Sequence, residues 1–241
     1  VDGKPLFLVY KAAQLPDPLR TTDCWRDEAH RAGVGDLFLA RVQNHPQEDT
    51  DPGPLGFDAA VQFAPHWGFA NRPTALDAAR RAVRARLYSK SEKLARTADW
   101  LLHQLGTVPK RLTRKGRAGL VNGLLDYGEL VDFMLALPEP AYRRFPCVSP
   151  GWDNTARRKS GAVIYVNSTP DRYERWLRAV VGRQRASARP SDPVFVNAWN
   201  EWAEGCHLEP CQRWGRAYLE ATARALTASH PAAVELAGAA S

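Results

Sequence analysis

Apolar residues along this chain fall into two recurring patterns, short near-continuous runs and longer stretches at helical spacing. The runs are Pro5 to Tyr10 (PLFLVY), Asp36 to Val42 (DLFLARV), Ala59 to Ala64 (AAVQFA), Phe145 to Ser149 (FPCVS) and Val194 to Trp199 (VFVNAW). Their β-branched and aromatic content predicts strands. Unbroken apolar runs suit strands covered on both faces, which favours a parallel sheet.

The helices between them carry sharper signals. Asp126 followed by Glu129 is a capping-box pattern. Leu130, Phe133, Met134 and Leu137 then recur at helical spacing until Pro138 stops the helix. Thr169 before Pro170 forms an N-cap and N1 pair, and Tyr173, Trp176, Leu177, Val180 and Val181 make one apolar stripe. Leu94, Leu101, Leu102 and Leu105 form another, ending at Gly106, and a last helix is predicted from about Gly215 to Thr227 with Tyr218, Ala221 and Ala225 on one face. These aromatics and Met134 read as core.

Strands and helices in alternation imply right-handed βαβ units and an α/β fold. A barrel of eight such units usually takes about 250 residues. This chain has 241 but shows five strands, so the pattern leaves open a small doubly wound sheet or part of a barrel. The Ala-rich tail after His230 carries no chemistry.

Composition narrows the class. An apolar fraction of 44% with 24% charged residues is that of a folded domain, which excludes disorder and fibrous repeats. No apolar run approaches the roughly 20 residues of a membrane span, so no transmembrane segment is expected. Val1-Asp2-Gly3-Lys4-Pro5 is neither an initiator methionine nor a secretion signal, and the expectation is a processed chain or part of a longer protein. Four cysteines (Cys24, Cys147, Cys206 and Cys211) without a C-x-x-C pair predict reduced thiols in a cytoplasmic protein, a metal at Cys206, His207 and Cys211 being disfavoured.

A formal charge of +7 is spread over Arg80–Arg86, Lys110–Arg117 and Arg157–Lys159. No nucleic-acid module or interleaved aromatics accompany it, so it reads as solvated faces, with attraction to anionic glycans or the inner face of a membrane as a minor addition. No G-x-G-x-x-G, P-loop or G-x-S-x-G motif occurs, which leaves nucleotide cofactors and a serine hydrolase unsupported.

In parallel α/β proteins the ligand lies at the carboxyl ends of the strands. There the chain places Tyr10-Lys11, Pro65-His66-Trp67, Pro150 to Asn154, and Asn200 to Gly205. Glu201 and Glu204, flanked by Trp199 and Trp202, are three residues apart. In a continuing strand they would point to opposite faces; a backbone turn near Asn200 lets both face one mouth. Two close carboxylates suit glycosidic-bond chemistry, tryptophans suit a sugar's C–H face, and Asn or Asp its hydroxyls. The competing reading is a helix start at the EWAE stretch, with Trp199 in the core.

Four ordered motifs, Asp2–Tyr10 (DGKPLFLVY), Gly56–Pro65 (GFDAAVQFAP), Pro150–Thr155 (PGWDNT) and Phe195–Gly205 (FVNAWNEWAEG) followed by Leu208–Pro210, resemble the WbsX-like polysaccharide-biosynthesis family, related to glycoside hydrolase family 99. The resemblance runs from about residue 1 to 227. It implies a (β/α)8 barrel of which residues 1–229 supply strands four to eight, with 230–241 a flexible tail. An amino-terminal barrel segment or another chain would then cover the two exposed strand edges.

By the same resemblance Glu201 deprotonates a sugar 2-hydroxyl, giving a 1,2-anhydro intermediate, and Glu204 acts as general acid and then base, with a raised pKa. Tyr10, His66, Trp152, Asp153, Asn154, Asn200, Trp202 and Glu209 are expected to line that mouth. Ala203, Cys206 and His207 depart from the hydrolases, which leaves the sugar open. No metal or organic cofactor is required by this chemistry. The implied function is a carbohydrate-active enzyme of surface polysaccharide or O-antigen glycans. Its rivals are a non-catalytic glycan-binding remnant and, more weakly, a basic nucleic-acid-binding protein.

Overall fold

The structure, a computed structural model, describes residues 1–70, 123–158 and 161–227. The helical stripe at 94–106, the basic stretches at 80–86 and 110–117, Lys159 and the tail after residue 230 lie outside the described residues.

All five expected strands are present and run parallel. β1 (Leu6–Val9) pairs with β2 (Phe38–Gln43), β2 with β3 (Ala59–Gln62), and β3 with β5 (Arg144–Phe145). β4 (Gly123–Asp126) lies outside this sheet. Pro146 interrupts the run after β5, and its continuation β6 (Cys147–Val148) pairs with β8 (Phe195–Val196). Neighbouring strands thus follow one another in chain order without reversal. The interruption at Pro146 follows from its missing N–H, which cannot serve a ladder.

Side chains of β2 show why a continuous apolar run was needed. Phe38 and Ala40 face a cluster with Val61 and Phe145, whereas Leu39, fully buried, faces Ala12 and Phe57 on the other side. Burying a leucine in this way contributes about 2 kcal/mol. β1 differs from expectation: Phe7 and Leu8 are exposed, because among the described residues only β2 lies beside it.

Helix α1 (Pro18–Arg31), which the periodicity did not reveal, starts on the side chain of Asp17 and covers this sheet. Arg26 reaches the carbonyl of Gly56 and the carboxylate of Asp58, both at 2.9 Å, and Asp58 also accepts the Leu39 backbone N–H at 2.8 Å. Gly56 has φ +82°, and a Cβ there would meet the Thr22 hydroxyl at 2.0 Å, so no larger residue fits.

After β3 comes the short turn α2 (Trp67–Ala70). Helix α3 (Tyr127–Ala136) begins where the capping pattern placed it, with the Asp126 carboxylate accepting from the N–H groups of Gly128 and Glu129. Its end at Leu137 follows from Pro138, which disfavours helical geometry in the residue before it. β7 (Val163–Val166) pairs with β4 in a separate parallel pair. α4 (Pro170–Ala186) is capped by Thr169, and its whole predicted stripe is buried. β9 (Asn200–Glu201) and β10 (Cys206–His207) form a hairpin. α5 (Ala217–Thr227) closes the chain, burying Tyr218, Ala221 and Ala225. Among the described residues, helices α3, α4 and α5 share the largest core, with Cys147, Val148, Trp152 and Cys206. Among the described residues no helix is long and apolar enough to cross a membrane.

Candidate active site

Residues 195–209 make the central wall of the site. β8 ends as the Asn197 N–H donates to the Val148 carbonyl at 2.8 Å, and the Asn197 amide donates to the Ala64 carbonyl at 2.8 Å. The chain then doubles back. Glu201 pairs with Cys206 and Asn200 with His207, and the intervening turn Trp202–Glu204 closes with a bond from the Gly205 N–H to the Trp202 carbonyl at 3.1 Å. Gly205 has φ +60°, and a Cβ there would lie 3.0 Å from Asp153 Cβ and 3.1 Å from its backbone nitrogen. Glycine is therefore required both by conformation and by close approach.

This turn has a cavity on each side. The first, of about 810 Å³, is lined by Tyr10, Lys11, Asn44, His45, Phe63, Trp67, Asn154, Arg157, Arg158, Asn197, Ala198, Glu201 and Glu204. The turn at the strand end brings both glutamates to it, as the spacing argument required. Tyr10, Lys11, Asn44, His45, Phe63 and Asn197 all follow the carboxyl ends of parallel strands, the usual place for a ligand in such sheets. Lys11, Asn44, His45, Phe63, Trp67, Arg157, Arg158, Asn197 and Ala198 were not among the expected site residues. The same strand-end rule applied after β2 would have found Asn44 and His45.

Glu204 is the polar centre of this cavity. Arg157 pairs with its carboxylate, held in place because Asp153 caps the short helical turn Asn154–Arg157 through the Thr155 N–H at 3.0 Å. The Asp153 N–H also donates to the Glu204 carbonyl at 2.7 Å. Burial pushes the Glu204 carboxyl above its ordinary range, and the Glu201 charge adds to that; Arg157 and Arg158 oppose it. An upward shift of this kind moves a carboxyl toward the role of proton donor.

The second cavity, of about 770 Å³, lies behind the turn. It is lined by Trp152, Asp153 and Trp202 together with Tyr165, Asn167, Ser168, His207, Trp214 and Tyr218, among others. The expected single mouth thus divides. Tyr10, Asn154, Glu201 and Glu204 share the first cavity; Trp152, Asp153 and Trp202 face the second, because successive side chains of a tight turn leave it in different directions.

Three expected residues line neither. His66 is buried, its Nδ1 accepting from the Gly68 N–H at 3.0 Å and its Nε2 donating to Asp49 at 2.9 Å, so both ring nitrogens are used to build the turn after β3. Glu209 accepts from the Trp202 indole N–H at 2.6 Å, and Asn200 is an exposed hairpin residue. Trp199 is half-exposed and does not belong to the core. Asn154 does reach the first cavity, while its side-chain oxygen also accepts the Val163 N–H at 2.9 Å.

Residues 1–222 match the family described as Glycosyltransferase WbsX. The chain is 36% identical over 237 residues to the "Uncharacterized protein WxcX" of Xanthomonas campestris pv. campestris strain ATCC 33913, covering 98% of this chain and 29% of that protein. The counterpart in strain B100 has the same identity and coverage. The chain therefore spans less than a third of the length of these relatives. Among solved structures, a "Glycoside hydrolase-like protein" superposes with a TM-score of 0.52 at 14% identity, over 95% of this chain and 56% of the other, which shows a shared fold. The GH99 endo-alpha-mannosidase from Bacteroides thetaiotaomicron gives 0.42 at 13% identity, over 95% and 57% of the two chains.

Proposed function

The chain belongs to the WbsX glycosyltransferase family, and we propose that it is the catalytic part of a carbohydrate-active enzyme of surface polysaccharide or O-antigen glycans, with Glu201 and Glu204 as its acid–base pair. The observation that carries this reading is the β9–β10 turn, which puts both carboxylates into one cavity at the strand ends while burial favours the protonated form of Glu204.

In the reaction so proposed, Glu204 gives its proton to the leaving glycosidic oxygen as that oxygen's bond to the anomeric carbon breaks. Glu201 takes the proton of the 2-hydroxyl, whose oxygen bonds to the same carbon to close a 1,2-anhydro ring. Glu204, now a carboxylate, then removes a proton from water or an acceptor hydroxyl as it attacks the anomeric carbon. The bond from the anomeric carbon to the C2 oxygen breaks as the anhydro ring opens, and that oxygen recovers its proton from Glu201 to restore the 2-hydroxyl. Two inversions at one carbon amount to retention, and two carboxylates suffice. Of the other expected residues, Tyr10 with its exposed ring and Asn154, largely buried, line the same cavity, which supports a role for Tyr10 against the sugar.

The chain-order run of parallel strands, together with exposed Phe7 and Leu8 on β1, supports the further proposal that residues 1–229 are strands four to eight of a (β/α)8 barrel, completed across the edges of β1 and β8 by another segment.

The test is turnover of oligosaccharides from surface polysaccharides, followed by mass spectrometry. Glu201→Gln and Glu204→Gln lower product formation by roughly 10³-fold while glycan still binds; full product from Glu204→Gln overturns the reading. The Arg157 ion pair favours the second reading, a glycan-binding remnant in which Glu204 stays neutralised, and that reading requires binding without turnover in every variant.

A further inference from the structure

We propose that the cavity behind the Trp202–Glu204 turn is a second carbohydrate-binding site, taking a neutral pyranose unit of a glycan chain against the Trp202 ring. This goes beyond the acid–base reading and does not depend on it, since neither glutamate lines this cavity.

Trp202 has the properties of a fixed platform. Its ring is half-exposed, which is unfavourable for so large an apolar surface unless something covers it. One face stacks on His207, with ring centroids 3.8 Å apart and planes 20° from parallel, and its indole N–H is held by Glu209 at 2.6 Å. An aromatic held at its edge and on one face offers the other with little ordering left to lose on binding.

The remaining wall fits a sugar in shape and chemistry. Trp214 supplies a second aromatic, set edge-on against Tyr218; Gln212 offers a donor and an acceptor for hydroxyls, and Asn167, whose amide nitrogen donates to Asp126 at 2.7 Å, offers its carbonyl oxygen. Among the described residues the Trp152 indole nitrogen and His207 Nδ1 are buried without a hydrogen-bond partner, and both residues line this cavity. Unpaired buried groups of this kind are costly and are satisfied when a ligand hydroxyl reaches them. The charged lining residues are Asp153, already bonded to Thr155, and Arg213, lying over Trp214. One charge of each sign points to a neutral ligand. The first cavity, with Lys11, Arg157 and Arg158 around two glutamates, has a different character.

The experiment titrates the whole chain with neutral di- to tetrasaccharides of the gluco, manno and galacto series, following the indole N–H signals by NMR. In the Glu201→Gln/Glu204→Gln double variant, which removes turnover if the acid–base reading holds, at least one series shifts the Trp202 and Trp214 signals as in the parent chain. Trp214→Ala weakens binding about tenfold, and Trp214→Phe, which keeps an aromatic ring there, weakens it less. Asn44→Ala, in the first cavity, leaves these shifts in place. The proposal is overturned if no series moves the Trp202 signal at saturation, or if Trp214→Ala and Trp214→Phe both bind as tightly as the parent. Loss or retention of turnover in the glutamate variants is read separately and bears only on the catalytic proposal.

Discussion

The two sides of the Trp202–Glu204 turn differ in almost every chemical respect although they are built on the same few residues. One side gathers carboxylates and cations at the ends of parallel strands; the other gathers indoles, tyrosines and neutral polar groups against β7 and α5. In linear order Trp202 stands between the two glutamates and reads as part of their site. In space it faces away from them. A tryptophan that stands between two carboxylates in the chain need not face the cavity they share.

The contrast breaks most sharply at the glutamates. Glu204→Gln is expected to lower turnover by roughly 10³-fold, measured as kcat on an oligosaccharide substrate, with the indole signals of the second cavity unmoved. Next comes the wall itself. Gly205→Ala forces a left-handed residue against Asp153 and should cost about 1–3 kcal/mol in denaturant unfolding, disturbing both cavities together. An effect confined to one of them would show that the turn is not their common support.

Smaller effects separate the sides again. Glu209→Ala releases the indole edge and should cost about 1 kcal/mol or less, seen as a broadened Trp202 indole signal; an unchanged signal would mean that the His207 stack alone holds the ring. Arg157→Ala is expected to leave the melting temperature nearly unchanged near pH 5, since a half-exposed ion pair contributes little. Its signature is in the pH profile. Arg157 opposes the upward push of burial on Glu204, so its removal raises that carboxyl further. A general acid works below its pKa, and the alkaline limb of kcat/KM therefore moves to higher pH. Stability follows the same sign: a carboxyl whose folded pKa lies above its unfolded value contributes stability at low pH that is lost as pH rises through the folded pKa. The variant should lose more of it toward neutrality than the parent. A limb that stays fixed or moves down would remove Glu204 as the proton donor.

Much of the fold was legible because its signals are local. Asp126 with Glu129, and Thr169 with Pro170, mark helix starts through groups within one turn of each other, and α3 and α4 begin there. Helix α1 carried an equivalent mark in Asp17-Pro18, but it buries only Thr22 and Ala29 and so has no strong apolar stripe. The β4–β7 pair escaped notice for another reason. Gly123–Asp126 and Val163–Val166 are four residues each, and they are strands only because they meet. The hairpin of β9 and β10, with two residues in each arm, is the extreme case.

The site divides along the same line. That Glu201 and Glu204 could work together followed from residue type and spacing, and so did the choice of strand ends as the place to look. That His66 is consumed by Asp49 and Gly68, that Arg157 sits on Glu204, and that Trp152 and Trp202 belong to a second cavity depended on contacts between segments far apart in the chain. By itself the sequence determined strands, caps and chemical inventory, since periodicity and capping are decided within a few residues. Which side of the turn each group faces was decided by tertiary structure alone, because a side chain's direction there depends on how the hairpin packs against Asp153 and the strand ends.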